Sequence, residues 1–173
     1  MLWLQCISVP GRFYQLFFNR YDRMQGMHEK MGGKMKTINI MLDDGIRMPE
    51  RAHENDAGLD IFSPKRTWVF PHNSAIIDTG VHVEIPKGYV GILKSKSGLN
   101  VKHGLTGTGT IDAGYTGSII VKLYNSSNQQ YLVGEGDKII QLVIFPIETP
   151  EPVLVDHFEE TERGENGFGS TGK

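Results

Sequence analysis

The chain has 173 residues and a single cysteine, Cys6. No disulfide can form within it, and none of the cysteine-based zinc patterns is available. It has no long basic run, and its formal net charge is −2, which argues against a protein that tracks nucleic-acid phosphates. Its six histidines, at positions 28, 53, 72, 82, 103 and 157, never fall at H-x-x-x-H or H-E-x-x-H spacing. A metal cage built only from protein ligands is therefore not expected. No apolar run reaches the roughly 18 residues needed to span a membrane. The apolar start is broken by Gln5, Ser8 and Pro10 and has no basic stretch before it, which fits a signal peptide poorly. The expected location is the cytoplasm.

Charged residues make up 22% of the chain and apolar ones 39%, enough to fold around a core, and the length fits one domain. Residues 1–34 differ from the remainder: they are rich in methionine and aromatics and show no steady period. The tripeptide GGK before Met35 can be encoded by a purine-rich stretch of the kind that precedes a start codon. Residues 1–34 are accordingly expected to be a leader or disordered extension, ahead of a β domain over 35–162 and a glycine-rich arm over 163–173.

From Met35 onward, short apolar or alternating runs are separated by Gly, Pro, Asn, Asp and Ser. TINIML, GLDIFS, TWVF, SAIIDTGVHVEI, GYVGILKS, GTGTIDAG, SIIVKLYN, YLV, DKIIQLVIFPI and PVLVDHF read as strands. That spacing predicts an all-β sandwich or barrel. SGLNVKHGL is the exception, with Ser97 as the expected N-cap and Gly104 as the residue closing a short helix. Pro146, Pro150 and Pro152 stiffen the approach to an apolar final run, residues 153–155. Two outcomes fit: a strand handed to a neighbouring protomer, or an ordinary proline-rich loop.

The last seven residues, GFGSTGK, match the phosphate-binding pattern G-x-x-x-x-G-K. A P-loop also needs a buried strand before it, and a Ser or Thr and a helix after the Lys. The preceding HFEETERGEN is polar and acidic, and Lys173 is the last residue. The match to a P-loop is accidental. The tail nonetheless carries Arg163, whose guanidinium forks onto phosphate, and Phe168, an aromatic that stacks on a base. It has the means to close over a nucleotide by another route.

Five segments occur in order between residues 35 and 173: DAGLDIFS, SKSGL, GTIDAGYTG, GDKIIQLV and RGENGFGSTG. Together they resemble the trimeric deoxyuridine triphosphatase (dUTPase) family. The resemblance implies a distorted jelly-roll or β-clip fold with one short helix. It also implies a homotrimer with an exchanged C-terminal strand and sites shared between subunits, and Mg²⁺-dependent cleavage of dUTP to dUMP and pyrophosphate. No nucleic-acid or membrane partner is implied.

By the same resemblance, Asp112 activates the attacking water. Tyr115 lies under the deoxyribose and excludes a 2′-hydroxyl. Residues 106–111, with Thr106, Gly109, Thr110 and Ile111, form a hairpin whose main chain reads uracil. Lys96, Ser97, Gly98 and Gln141 meet the phosphates, with Lys96 standing where the family has Arg. It keeps the charge but loses the bidentate fork. Asp60 holds Mg²⁺ indirectly, through water. Arg163 binds the γ-phosphate, Phe168 stacks on uracil, and Gly169, Ser170 and Thr171 touch phosphates, all on a mobile arm that closes over a neighbouring site. Asn166, Gly114 and Thr116 depart from the family pattern, with little expected effect on the chemistry. Two other readings compete. The related dCTP deaminase needs a glutamate beside the pyrimidine, where this chain has TIDAGYTG. A dUTP-gated regulatory binding module is of another class and is compatible with catalysis.

Overall fold

The computed structural model describes residues 37–161 and Gly164. Among these residues there are ten strands and one helix. The strands are β1 (Asn39–Leu42), β2 (Gly58–Phe62), β3 (Thr67–Val69), β4 (Ser74–Glu84), β5 (Tyr89–Ser95), β6 (Leu105–Thr106), β7 (Thr108–Ile111), β8 (Ser118–Asn125), β9 (Tyr131–Val133) and β10 (Lys138–Pro146). The helix, α1, is Ser97–His103. One four-stranded sheet has the order β1-β4-β8-β6, the other β2-β10-β5-β7, and β3 pairs with β9 in a small ribbon. Every pairing is antiparallel. Because neighbours in a sheet are seldom neighbours in sequence, the chain crosses repeatedly from sheet to sheet. The result is an all-β, jelly-roll-like sandwich.

The core lies between the sheets. Strand β8, SIIVKLYN, shows how the sequence specifies it. Ile119, Val121 and Leu123 are buried, while Ile120, Lys122 and Tyr124 face outward, the period-2 pattern of a strand with one covered face. Ile77 of β4, Ile61 of β2, and Ile140 and Leu142 of β10 meet them in the same apolar cluster. Strand β4 bulges between Asp78 and His82. There Gly80 takes a left-handed φ of 65°, and the buried Thr79 hydroxyl donates to Ile119 O at 2.8 Å.

Two expectations differ from the structure. Ser97 does not cap α1; Lys96 holds the extended cap position (φ −69°, ψ 127°) and Ser97 is the first helical residue. Gly104 does close the helix in the left-handed conformation, its N–H donating to Asn100 O at 2.9 Å. Residues 106–111 are not a hairpin. β6 pairs with β8 in the first sheet and β7 with β5 in the second, so the segment is a crossover with Gly107 at the crossing. A Cβ there would lie 2.9 Å from Ile140 Cδ1 and 3.1 Å from Lys122 O, which requires glycine. Residues 153–155 form no strand within the described protomer, which accords with both expected outcomes; Val153 is 79% and Leu154 98% exposed.

Asn125 ends β8 with its side chain buried and fully satisfied. Its Nδ2 donates to Val69 O and Gln129 O, and its Oδ1 accepts from Ser127 N and Ser127 Oγ. Asn125→Leu would take the side-chain donor from the shielded Val69 carbonyl and the acceptor from Ser127 N, while Gln129 O keeps the Ser127 hydroxyl. The expected cost is about 1–3 kcal/mol for each, read as a lowered midpoint in denaturant unfolding.

Candidate active site

Asp60 is the only carboxylate in the buried part of the described residues, at 3% exposure. It sits in the middle of β2, whose five residues are all buried. A carboxylate in such a place needs compensating charge. Lys96, at the end of β5, donates its ammonium to Asp60 Oδ1. Lys138, which opens β10, lies 3.0 Å from Oδ2. Burial pushes the Asp60 carboxyl up, but the two ammonium groups outweigh it and hold the group below the usual carboxylate range. In turn the Asp60 carboxylate holds Lys138 protonated to higher pH than an ordinary lysine. Glu50 adds a second acidic group, paired with Arg47 at 2.9 Å and with Lys138 at 3.6 Å. Three cations thus face two carboxylates, leaving one positive charge over in a place suited to phosphate oxygens.

Gln141 belongs to the same group. It stands opposite Asp60 on one side and Lys94 on the other, and its amide donates to Ser95 O at 3.4 Å. Ser95 is also tied to the crossover: its hydroxyl donates to Gly107 O and accepts from Gly107 N, both at 2.9 Å. Gly58 leaves room for the Gln141 side chain, since a Cβ at 58 would lie 2.5 Å from Gln141 Oε1. Ser97 and Gly98 are exposed beside Lys96. Asp60, Lys96, Ser97, Gly98 and Gln141 are therefore brought to one end of the second sheet.

Asp112 and Tyr115 are elsewhere. They flank a tight turn in which Tyr115 N donates to Asp112 O at 3.2 Å. Gly114 holds φ of 90° at the third position, the requirement of a type II turn. Tyr115 OH donates to Ser118 O at 2.9 Å, and the ring is 45% exposed. Gly117 permits this fold-back, because a Cβ there would lie 2.5 Å from Tyr115 Oη. The pairing register sets the distance between the two groups. Ile111 pairs with Gly91, while Lys96 lies five residues further along the chain (96 − 91), about 17 Å away at ~3.3 Å per residue. Asp112 continues in the opposite direction. Thr106, Gly109, Thr110 and Ile111 bridge the gap, with Gly109 flat against Leu93, where a Cβ would be 3.2 Å from Leu93 Cδ1. One protomer therefore presents two half-sites at opposite ends of β5. Arg163, Phe168, Gly169, Ser170 and Thr171 lie outside the described residues, as do residues 1–34.

Lys138, Ser95 and Gly58 were not anticipated from the sequence. A lysine at the start of a strand reads as a solvated residue, and only the burial of Asp60 reveals its task. Gly58 and Lys138 do fall inside DAGLDIFS and GDKIIQLV, which was the available signal.

The depressed Asp60 carboxyl gives a pH-dependence with a definite sign. A lowered folded-state value contributes stability that is complete above the ordinary aspartate value of 3.8 and is lost as pH falls through the lower folded one. Asp60→Asn, which leaves Lys96 and Lys138 without their counter-charge, should unfold at lower temperature than the wild type at neutral pH. The difference should shrink as pH falls below about 4, and thermal melts at neutral and acid pH measure it.

Comparison with known proteins gives the family. The dUTPase family model matches residues 44–172. A deoxyuridine 5'-triphosphate nucleotidohydrolase of Clostridium novyi (strain NT) is 44% identical over 141 residues, 80% of this chain and 99% of its own length. Among solved structures, the dUTPase of Staphylococcus bacteriophage 80alpha with dUpNHpp has a TM-score of 0.75 at 40% identity, covering 80% of this chain and 100% of that one. A variant dUTPase from phage phi11 of S. aureus, studied for the coordination of a structural Mg(II) ion, has a TM-score of 0.67 at 38% identity, covering 72% and 100%. With a family model spanning most of the chain and a relative this similar over nearly its whole length, the chain belongs to the dUTPase family.

Proposed function

We propose that the protein hydrolyses dUTP to dUMP and pyrophosphate, in a site completed by other copies of the same chain. The observation that carries the second half of this reading is the separation of the half-sites. Asp112 and Tyr115 cannot reach a nucleotide held at Lys96 and Gln141 while Gly91 and Ile111 stay paired. A homotrimer supplies the missing half from a neighbour. The exposed Val153, Leu154 and Val155 support an exchanged C-terminal strand, since a neighbouring subunit would cover them.

In this reading Asp112 takes a proton from water as its oxygen bonds to the α-phosphorus. The bond from that phosphorus to the bridging oxygen breaks, and the electron pair leaves on pyrophosphate. Lys96, Ser97, Gly98 and Gln141 hold phosphate oxygens. Tyr115, anchored through its hydroxyl, presents its ring to the deoxyribose, where a 2′-hydroxyl would clash. The crossover with Thr106, Gly109, Thr110 and Ile111 offers main-chain groups to uracil. Arg163, Phe168, Gly169, Ser170 and Thr171 close over the nucleotide, Arg163 at the γ-phosphate and Phe168 on the base.

The residues present fit Mg²⁺ carried by the substrate. Asp60 Oδ2 is shielded and faces the Lys138 ammonium at 3.0 Å; a carboxylate oxygen has more than one lone pair, so it keeps capacity for a metal-bound water. Asp60 would hold the ion through that water, and the ion when bound supplies charge neutralisation on the phosphates. Among the described residues no helix is long and apolar enough to cross a membrane, and the reading is of a cytoplasmic enzyme of nucleotide metabolism.

Asp112→Asn tests the assignment. It keeps the shape but cannot accept the proton, so kcat should fall about 10²–10⁴-fold while dUTP still binds in calorimetry. Near-normal turnover places the base elsewhere.

A second reading rests on the phage 80alpha relative, whose structure is described as part of a G protein-like control of virulence-gene transfer. Here a dUTP-dependent surface would recruit a protein partner, alongside catalysis. Pulldowns with and without a non-hydrolysable dUTP analogue should then differ in what they capture, and identical partners in both would count against it.

A further inference from the structure

His82 lies on the outward face of β4, opposite Met41 of β1 on one side and Ser118 of β8 on the other. Its side chain is only 17% exposed. Nδ1 is 2.8 Å from Thr116 O, at the end of the turn that carries Asp112 and Tyr115. Nε2 is 3.3 Å from Asp43 Oδ1, in the turn after β1. A carbonyl and a carboxylate both accept and neither donates. A neutral imidazole has one N–H and can satisfy only one of them; an imidazolium has two and satisfies both.

The surroundings favour the charged form. The Thr116 carbonyl is the largest influence raising the proton affinity of His82 above the ordinary histidine value; partial burial opposes it, and Asp43 and Asp78 add to it. Asp43 and Asp78 are the charged groups that face the ring. Asp78 is itself engaged by the Ser118 hydroxyl and lies in the field of Lys65. Gly80 N donates to the same Ser118 hydroxyl at 3.0 Å, so the β4 bulge, the start of β8 and the turn form one connected group.

We infer that His82, in its imidazolium form, is a positioning residue that clasps Thr116 to Asp43 and thereby sets the turn presenting Asp112 and Tyr115 to the nucleotide. It touches no reacting atom, and its effect on turnover rests on the role proposed for Asp112. The sign follows from the raised value. The clasp is complete below the ordinary histidine value of ~6.5 and loses one of its two bonds as pH rises through the higher value in the folded protein. Turnover should therefore carry a step that falls as pH rises, above the ordinary histidine value.

The test uses the full chain and two variants. His82→Asn places an amide donor near the position of Nδ1, which keeps the bond to Thr116 without titrating. With only one of the two bonds, it should turn over at about the high-pH level of the wild type at every pH and lose the falling step in the pH profile of kcat. His82→Leu removes both donors and should lower kcat about 10- to 100-fold with a smaller change in KM. In parallel, NMR of the wild type should show the Gly114, Tyr115 and Thr116 amides titrating together with the His82 ring, and no longer doing so in His82→Asn. An unchanged falling step in His82→Asn, full turnover in His82→Leu, or turn amides that ignore the His82 titration would each overturn the inference. Wild-type protein that cleaves no dUTP would instead sink the functional reading, while the amide titration still decides whether the clasp exists.

Discussion

A carboxylate removed from water stays ionised only where cations are brought to it, and Asp60 sets that condition on three adjacent strands at once. It projects from β2, Lys138 opens β10, and Lys96 follows the last residue of β5. The three strands run side by side in the second sheet, so the ion group fixes how their ends align. Each lysine takes one oxygen of the carboxylate. Two separate point charges thus do what one planar fork does elsewhere, and each ammonium keeps further donors free for another anion. The charge that makes burial of Asp60 tolerable is the charge that makes this end of the sheet attractive to phosphate.

The same sheet imposes the second constraint. A paired strand is stiff and cannot shorten, so β5 keeps its two ends apart however the loops move. On the proposed reading, substrate affinity and subunit association become linked quantities. A nucleotide that touches two chains stabilises their contact by its own binding free energy. Holding the triphosphate on one subunit and the water-activating carboxylate on another also means that neither half alone exposes an assembled catalytic group.

Most of the strands were legible because one face of each is covered and the other is not. β8 alternates residue by residue, and no other secondary structure buries Ile119, Val121 and Leu123 together. What failed depends on partners remote in sequence. Residues 106–111 carry the glycines of a hairpin, yet β6 and β7 find their partners in β8 and β5, and no local pattern reports that choice. Ser97 has the composition of a cap, but the extended conformation falls one residue earlier, within the ordinary uncertainty of a helix boundary. The apolar run at 153–155 reads as a strand because its composition is that of one; in an isolated protomer it has no ladder to join. Of the candidate site, the motif letters located Asp60, Lys96, Gln141, Asp112 and Tyr115. They did not disclose that Asp60 is buried, that Lys138 shares it, or that Asp112 lies a strand's length away.

The bare flank formed by Val153, Leu154 and Val155 has a consequence for how the protein is made. These residues follow every strand of the sandwich in the chain, so during synthesis they emerge after the last one, β10. Every strand of the two sheets lies ahead of this segment, so a protomer can close on its own core without it. The adhesive run is then carried by a protomer that already has a finished surface to offer, and exchanging it between copies leaves the core of each one intact.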